Sequence, residues 1–225
     1  MGYRRHSIAP GEWYHCYTRG IDKRTTFEDE LDYQRFQQAL YLSNSNATVD
    51  RNNIKRRTHA EIFYAERGTA LVAVGAYALM PNHFHLLVKE LVEGGLVKFM
   101  QKLGTSYTMY FNTRRERTGA LFVGPFRSRH VADDRYFGRV VPYIHLNPVE
   151  IFEPRWKEGM VRNIKILEEK ILTYPYSSLL DYLEEQRPES AIIDANELMT
   201  SLDKKIPSLE VLLPEMREYY QDLNM

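Results

Sequence analysis

This sequence predicts an α+β domain in which an antiparallel sheet is packed by helices, and three observations predict it. Short runs of β-favouring residues alternate, between residues 12 and 132, with longer runs whose apolar residues recur at helical spacing. Two of the short runs, TALVAVGAYALM and HFHLLVKE, are separated only by the turn pair Pro81-Asn82, so they read as neighbouring antiparallel strands. The chain of 225 residues is 44% hydrophobic and 27% charged with a single cysteine, Cys16, so stability must come from a packed core and not from a disulfide. That usage excludes a disordered chain, a collagen-like repeat and a coiled-coil rod.

Each element follows in order. EWYHCYT, residues 12–18, is aromatic and β-favouring and reads as the first strand. EDELDYQRFQQALYLS opens on acids, which suit a helix N-terminus, and spaces Leu31, Phe36, Ala39, Leu40 and Leu42 as a helix does. Residues 44–60 read as a loop holding a basic run, with a short helix as the alternative. Residues 69–80 and 83–90 are the second and third strands. Residues 95–112 put Leu96, Phe99, Met100, Leu103, Tyr107, Tyr110 and Phe111 on one helical stripe. ALFVGPFRSRHVA reads as a strand or hairpin edge, bent at Gly124-Pro125. DDRYFGRVVPYIHLNPV reads as a helix stopped at Asn147-Pro148, with Pro142 predicting a kink or a late start. The order β-α-β-β-α-β followed by helices is the split βαβ, ferredoxin-like arrangement with helices on one face of the sheet. It implies no function by itself.

Net charge is zero, from 30 basic and 30 acidic residues, yet residues 189–225 carry −5 and the rest +5. We therefore divide the chain into a domain over 1–185 and an acidic helical extension over 186–225, expected to be dispensable unless Leu209, Val211, Leu212 and Leu213 complete the core. A basic body is compatible with a polyanionic partner. No window approaches a membrane span, and the start has basic residues with no apolar run behind them, so a cytoplasmic protein is expected.

Two local features carry chemistry. In His83-Phe84-His85, strand alternation sends both imidazoles to one face and Phe84 to the other, a spacing that can grip a divalent cation; two polar residues on a solvated face are the plainer reading. In Tyr143-Ile144-His145-Leu146-Asn147-Pro148, Tyr143 and Asn147 share a helix face, as a nucleophile and a hard ligand would, or as a core ring and a cap. His145 projects elsewhere.

Together, MPNHFHLLV, GALFVGPFRSRHV and PYIHLNPV, in this order, resemble the HUH single-tyrosine transposases, and within them the REP-associated tyrosine transposases. YHCYTRG and YPYSSLLDY extend the resemblance, which runs from about residue 10 to 182. It implies that His83 and His85 hold a divalent cation, Mg²⁺ or Mn²⁺, that Asn147 completes the site, and that Tyr143 attacks a phosphodiester of single-stranded or hairpin DNA. The chain departs from the pattern at Glu150-Ile151-Phe152 and by Pro142 before the tyrosine.

The chemistry is coherent on its own terms. A phosphodiester anion repels nucleophiles, and a cation on a nonbridging oxygen offsets that charge. A covalent phosphotyrosine then splits strand transfer into two exchanges of similar energy. This fits the absence of a phosphate-loop motif. Arg114, Arg115, Arg127 and Arg129, with Lys55, Arg56 and Arg57, are the candidate DNA contacts. Phe122, Phe126, Tyr107 and Tyr110 are candidate stacking residues, although the core reading is preferred for the two tyrosines. The competing function is a non-catalytic nucleic-acid-binding regulator with a vestigial site. Oligomeric state is left open, a homodimer included.

Overall fold

A computed structural model describes residues 7–48, 56–183, 187–199 and 209–224. Its strands are β1 (Trp13–Arg19), β2 (Val72–Met80), β3 (His83–Glu90) and β4 (Arg127–Val131). Its helices are α1 (Glu30–Ser43), α2 (His59–Ile62), α3 (Gly95–Arg114), α4 (Asp134–Leu146), α5 (Val149–Phe152), α6 (Ile164–Leu172), α7 (Ala195–Met199) and α8 (Leu209–Asn224), with short 3₁₀ turns between them. The four strands form one antiparallel sheet in the order β2-β3-β1-β4, the ferredoxin-like topology expected.

Local chemistry sets the boundaries. β2 starts at Val72 because Asn44 stands in for a neighbouring strand there: its Oδ1 accepts from the Leu71 and Val72 amides at 2.9 and 3.1 Å, and its Nδ2 donates to the Val72 carbonyl. α3 starts where Glu90, the buried last residue of β3, accepts from the Gly94 and Leu96 amides at 3.0 and 2.9 Å. In the segment 44–60, residues 44–48 and 56–58 are loop and 49–55 lie outside the described residues; a short helix, α2, starts only at its end, where Thr58 and Glu61 make a reciprocal capping box. The expected fourth run is broken where the sequence predicts a bend. Before it, Phe122 bridges Gly20 and the Val123 amide donates to the Arg19 carbonyl at 2.8 Å; Gly124 then takes a left-handed φ of 58°, and pairing with β1 resumes as β4 at Arg127. Pro142 does not delay α4, which starts at Asp134 under an Asp133 cap that accepts from the Tyr136 amide at 2.7 Å.

The sheet separates two cores. On one face Tyr14, Cys16, Phe84, Leu86 and Val88 pack against Phe36 and Leu40 of α1 and Phe99, Leu103 and Tyr107 of α3. The two crossover helices thus share one face. On the other face Trp13, Ala76, Ala78 and Leu87 meet α4 through Phe137, Val140, Val141 and Ile144. A bulge between Val74 and Ala76 falls at Gly75, where a Cβ would stand 2.8 Å from the Trp13 ring and 2.9 Å from Leu198. Only glycine admits both.

That second core reaches into the acidic segment. Leu198 of α7 and Leu209, Leu212, Leu213 and Met216 of α8 are buried in it, whereas Val211 is exposed. The packing therefore favours a structural contribution from these leucines. Leu213→Ala is expected to cost about 2–4 kcal/mol. Urea denaturation of the full chain checks this, and an unchanged midpoint would show that α8 contributes nothing to the core.

Candidate active site

Strand alternation sorts β3 as its sequence predicts. Phe84 enters the first core, its ring 4.8 Å from that of Phe36, and His83 and His85 face the opposite side with ring centroids 5.1 Å apart. Antiparallel pairing then decides their neighbours, since paired residues share a face. Arg19 lies opposite His83 and Tyr17 opposite His85 on β1. Arg127 lies opposite Tyr17 and Arg129 opposite His15 on β4. One sheet face thus carries His15, Tyr17, Arg19, His83, His85, Arg127 and Arg129. α4 crosses it and sets the Tyr143 ring edge-on to His85 and His15, at 5.4 and 5.6 Å between centroids.

The hydrogen bonds fix one tautomer and narrow the other. Asn82 Nδ2 donates to the Lys23 carbonyl at 3.2 Å, so its Oδ1 is the atom facing His83. His83 must then donate from Nδ1, at 2.7 Å, which leaves the lone pair on Nε2. His85 Nδ1 is paired with His15 Nε2 at 2.8 Å, both rings being buried. Burial holds the imidazoles neutral. Together with Arg19 it lowers His83 to about 4, together with Arg129 it lowers His15 to about 3, and it drives His85 well below the usual range. Neutral rings keep the lone pairs that a cation needs.

Asn147 closes α4 in an unusual way. Its amide N–H bonds to the Ile144 carbonyl at 3.3 Å, tightening the last turn. The Tyr143 carbonyl so released accepts from Asn147 Nδ2 at 2.8 Å. Asn147 Oδ1 is left buried with no partner, a state costing about 1–3 kcal/mol unless a donor or cation meets it. That orphan oxygen, with two imidazole nitrogens, suits a hard divalent cation completed by water. Among the described residues no three His, Cys, Asp or Glu side chains gather as a ready metal cage. Tyr143, Leu146, Asn147, Glu150, Trp156 and Met216 line a crevice of about 10 Å³, room for about one water. Glu150, bound to Lys157 at 2.8 Å, acts electrostatically on His83 together with that lysine.

The candidate DNA cations divide. Arg127 and Arg129 are exposed on the histidine face, Arg129 over the Tyr136 ring at 5.0 Å. Arg114 and Arg115 are engaged in ion pairs with acids at the start of α1. Arg114 grips Asp29 and the fully buried Asp32 at 2.7 and 2.8 Å, and Arg115 grips Asp32 and Glu28 at 2.7 Å each. A carboxylate taken out of water needs its countercharges, so these guanidiniums bind α3 to the start of α1. Arg56 and Arg57 are exposed before α2, and Lys55 lies outside the described residues. Tyr107 is in the core, its hydroxyl donating to the Thr26 carbonyl at 2.5 Å, and Tyr110 Oη bonds to Asp32 at 3.0 Å. Phe122 is buried in the same core and Phe126 packs against it. His145 bonds Ser178 Oγ at 2.9 Å. Sequence reasoning missed His15, Tyr17, Arg19, Glu150 and Lys157. The alternation of WYHCYTR groups the first three, but nothing in the sequence says which strands flank them.

These neutral histidines tie stability to pH. The folded chain holds His83 near 4 and His15 and His145 near 3, against about 6.5 when unfolded. As pH falls below 6.5 the unfolded chain binds protons that the folded chain refuses. The stabilisation is thus complete above about 6.5 and is lost as pH drops towards the folded values. Urea midpoints of the metal-free chain are expected to be lower at pH 5 than at pH 7, and equal midpoints would contradict the burial.

No protein-family model matches this chain, and no curated protein does. Among solved structures the chain is similar to one described as the structure of the REP associates tyrosine transposase bound to a REP hairpin. That likeness has a TM-score of 0.47 at 14% identity and covers 92% of this chain and 96% of the other.

Proposed function

We propose that this protein cleaves and rejoins single-stranded DNA, with Tyr143 as the nucleophile and a divalent cation, Mg²⁺ or Mn²⁺, held by His83, His85 and Asn147. One observation carries the reading: the Tyr143 ring rests against His85 while the orphan Asn147 Oδ1 lies one helical turn away, on the same helix. When bound, the cation supplies charge to a nonbridging phosphate oxygen and orients the scissile bond.

The chain's own residues supply the rest. Tyr143 Oη forms a bond to phosphorus as the bond to the leaving sugar oxygen breaks; the phenol proton passes to water, and the leaving oxygen takes up a proton from water to become a free hydroxyl. A second strand's hydroxyl reverses the exchange and frees the tyrosine. Arg19, Arg127 and Arg129 are exposed on this face, so they meet phosphates along the strand and set its position. Neutral His83 and His85 serve as ligands and not as competing cations. A second reading, binding of nucleic acid without cleavage, is favoured by one observation: Tyr143 is only 5% exposed.

Labelled single-stranded and hairpin DNA incubated with the protein and Mn²⁺ separates the two on a denaturing gel. Tyr143→Phe is expected to lose both cleavage and the covalent adduct, yet to keep DNA affinity and stability because the ring remains. His83→Ala and His85→Ala are expected to lose cleavage alone. Mass spectrometry that finds the nucleotide on another tyrosine sinks the assignment, and no adduct in any metal favours the binding reading. Arg127→Ala and Arg129→Ala are each expected to weaken binding across all sequences and to flatten the log–log salt dependence by about 1. An unchanged slope would remove those two residues from the DNA path.

A further inference from the structure

We infer that His15 is a positioning residue for the cation site: its Nε2 accepts the proton of His85 Nδ1–H and so keeps the lone pair of His85 on Nε2. The inference rests on the reading of His85 as a cation ligand and adds the residue that makes it one.

The two candidate ligands are held by different means. His83 takes its tautomer from Asn82, whose amide is itself oriented by the Lys23 carbonyl. His85 has no such amide. Its Nδ1 meets another imidazole, His15 Nε2, at 2.8 Å, with the two rings stacked at 24° and 5.1 Å between centroids. An imidazole pair shares one proton along that line. If His15 donates, His85 carries its own proton on Nε2 and has no lone pair to offer. If His15 accepts, His85 is a ligand.

Three features bear on this pair. His15 Nδ1 has no hydrogen-bond partner, so the tautomer of this ring is set by the proton it shares with His85 and not by a second hydrogen bond. The ring is 1% exposed, so water does not compete for Nε2. Pairing of β1 with β3 and β4 sets His15 opposite Leu87 and Arg129, one diagonal step from His85. Tyr143 lies edge-on to both rings, so the hydrogen bond also fixes the surface against which the nucleophile packs.

The test measures Mn²⁺ binding by the full chain, from the electron paramagnetic resonance of free Mn²⁺, with no activity involved. His15→Phe keeps a flat ring on β1 but cannot accept, whereas His15→Gln offers an amide oxygen near the position of Nε2. The expected result is a 10–100-fold loss of Mn²⁺ affinity in His15→Phe and recovery to within about 3-fold of wild type in His15→Gln. Hairpin DNA binding in chelator should be unchanged in both. Wild-type protein that binds no Mn²⁺, or His85→Ala that binds as wild type does, overturns the cation reading beneath the inference. Mn²⁺ binding that His85→Ala loses and His15→Phe keeps overturns the role of His15 alone. If both His15 variants unfold or lose binding equally, wild-type protein decides. Long-range ¹⁵N–¹H spectra with Mg²⁺ bound should show the His85 proton on Nδ1, and a proton on Nε2 overturns the inference.

Discussion

β1 lies between β3 and β4, and its hydrogen-bond register is the constraint on which the rest of the site depends. A shift of one residue would send every side chain of β1 to the other face. His15, Tyr17 and Arg19 would then enter the core of α1 and α3, while Tyr14, Cys16 and Thr18 would face the histidines. The observed register is held by burial. Tyr14 and Cys16 belong to the first core and Trp13 to the second, so only one alignment satisfies both. The same alignment sets His15 beside His85 and the β4 arginines beside β1.

Because both faces of the sheet are covered, the polar cluster is enclosed by apolar packing on several sides, and its chemistry follows from that. Desolvation keeps three imidazoles neutral, and the turn that ends α4 leaves the Asn147 oxygen without a partner. Such groups are costly in an ordinary core. Here His15 and His85 stand against the Tyr143 ring, and Asn147 is bonded to the carbonyl of the same residue. Met216 of α8 lines the same crevice as Tyr143, so the acidic segment takes part in enclosing the site.

Net neutrality conceals two kinds of arginine. Arg114 and Arg115 are bound to Asp29, Asp32 and Glu28, where their charge serves to bury a carboxylate and to join two helices. Arg19, Arg127 and Arg129 stand exposed on the face that carries the histidines, where their field is available to an anion; after burial, Arg129 further lowers proton binding by His15, and Arg19 that by His83. Residue counts cannot distinguish the two kinds. Partners can.

Much was determined by the sequence alone. Periodicity and turn residues gave the β-α-β-β-α-β order, and the alternation of β3 put His83 and His85 together with Phe84 opposed, because these depend on neighbours a few residues apart. The proximity of Tyr143 to those histidines entered through motif resemblance, not through local pattern. The fate of Arg114 and Arg115 depended on Asp32, some 80 residues away, and the shared proton of His15 and His85 on a pairing across 70 residues. The use of Leu209, Leu212 and Leu213 depended on the second core in which they are buried. Tertiary structure decided all of these for one reason. A charge, a ring nitrogen or an apolar stripe acquires its role from the group that meets it, and that group is chosen by register and packing across the whole chain.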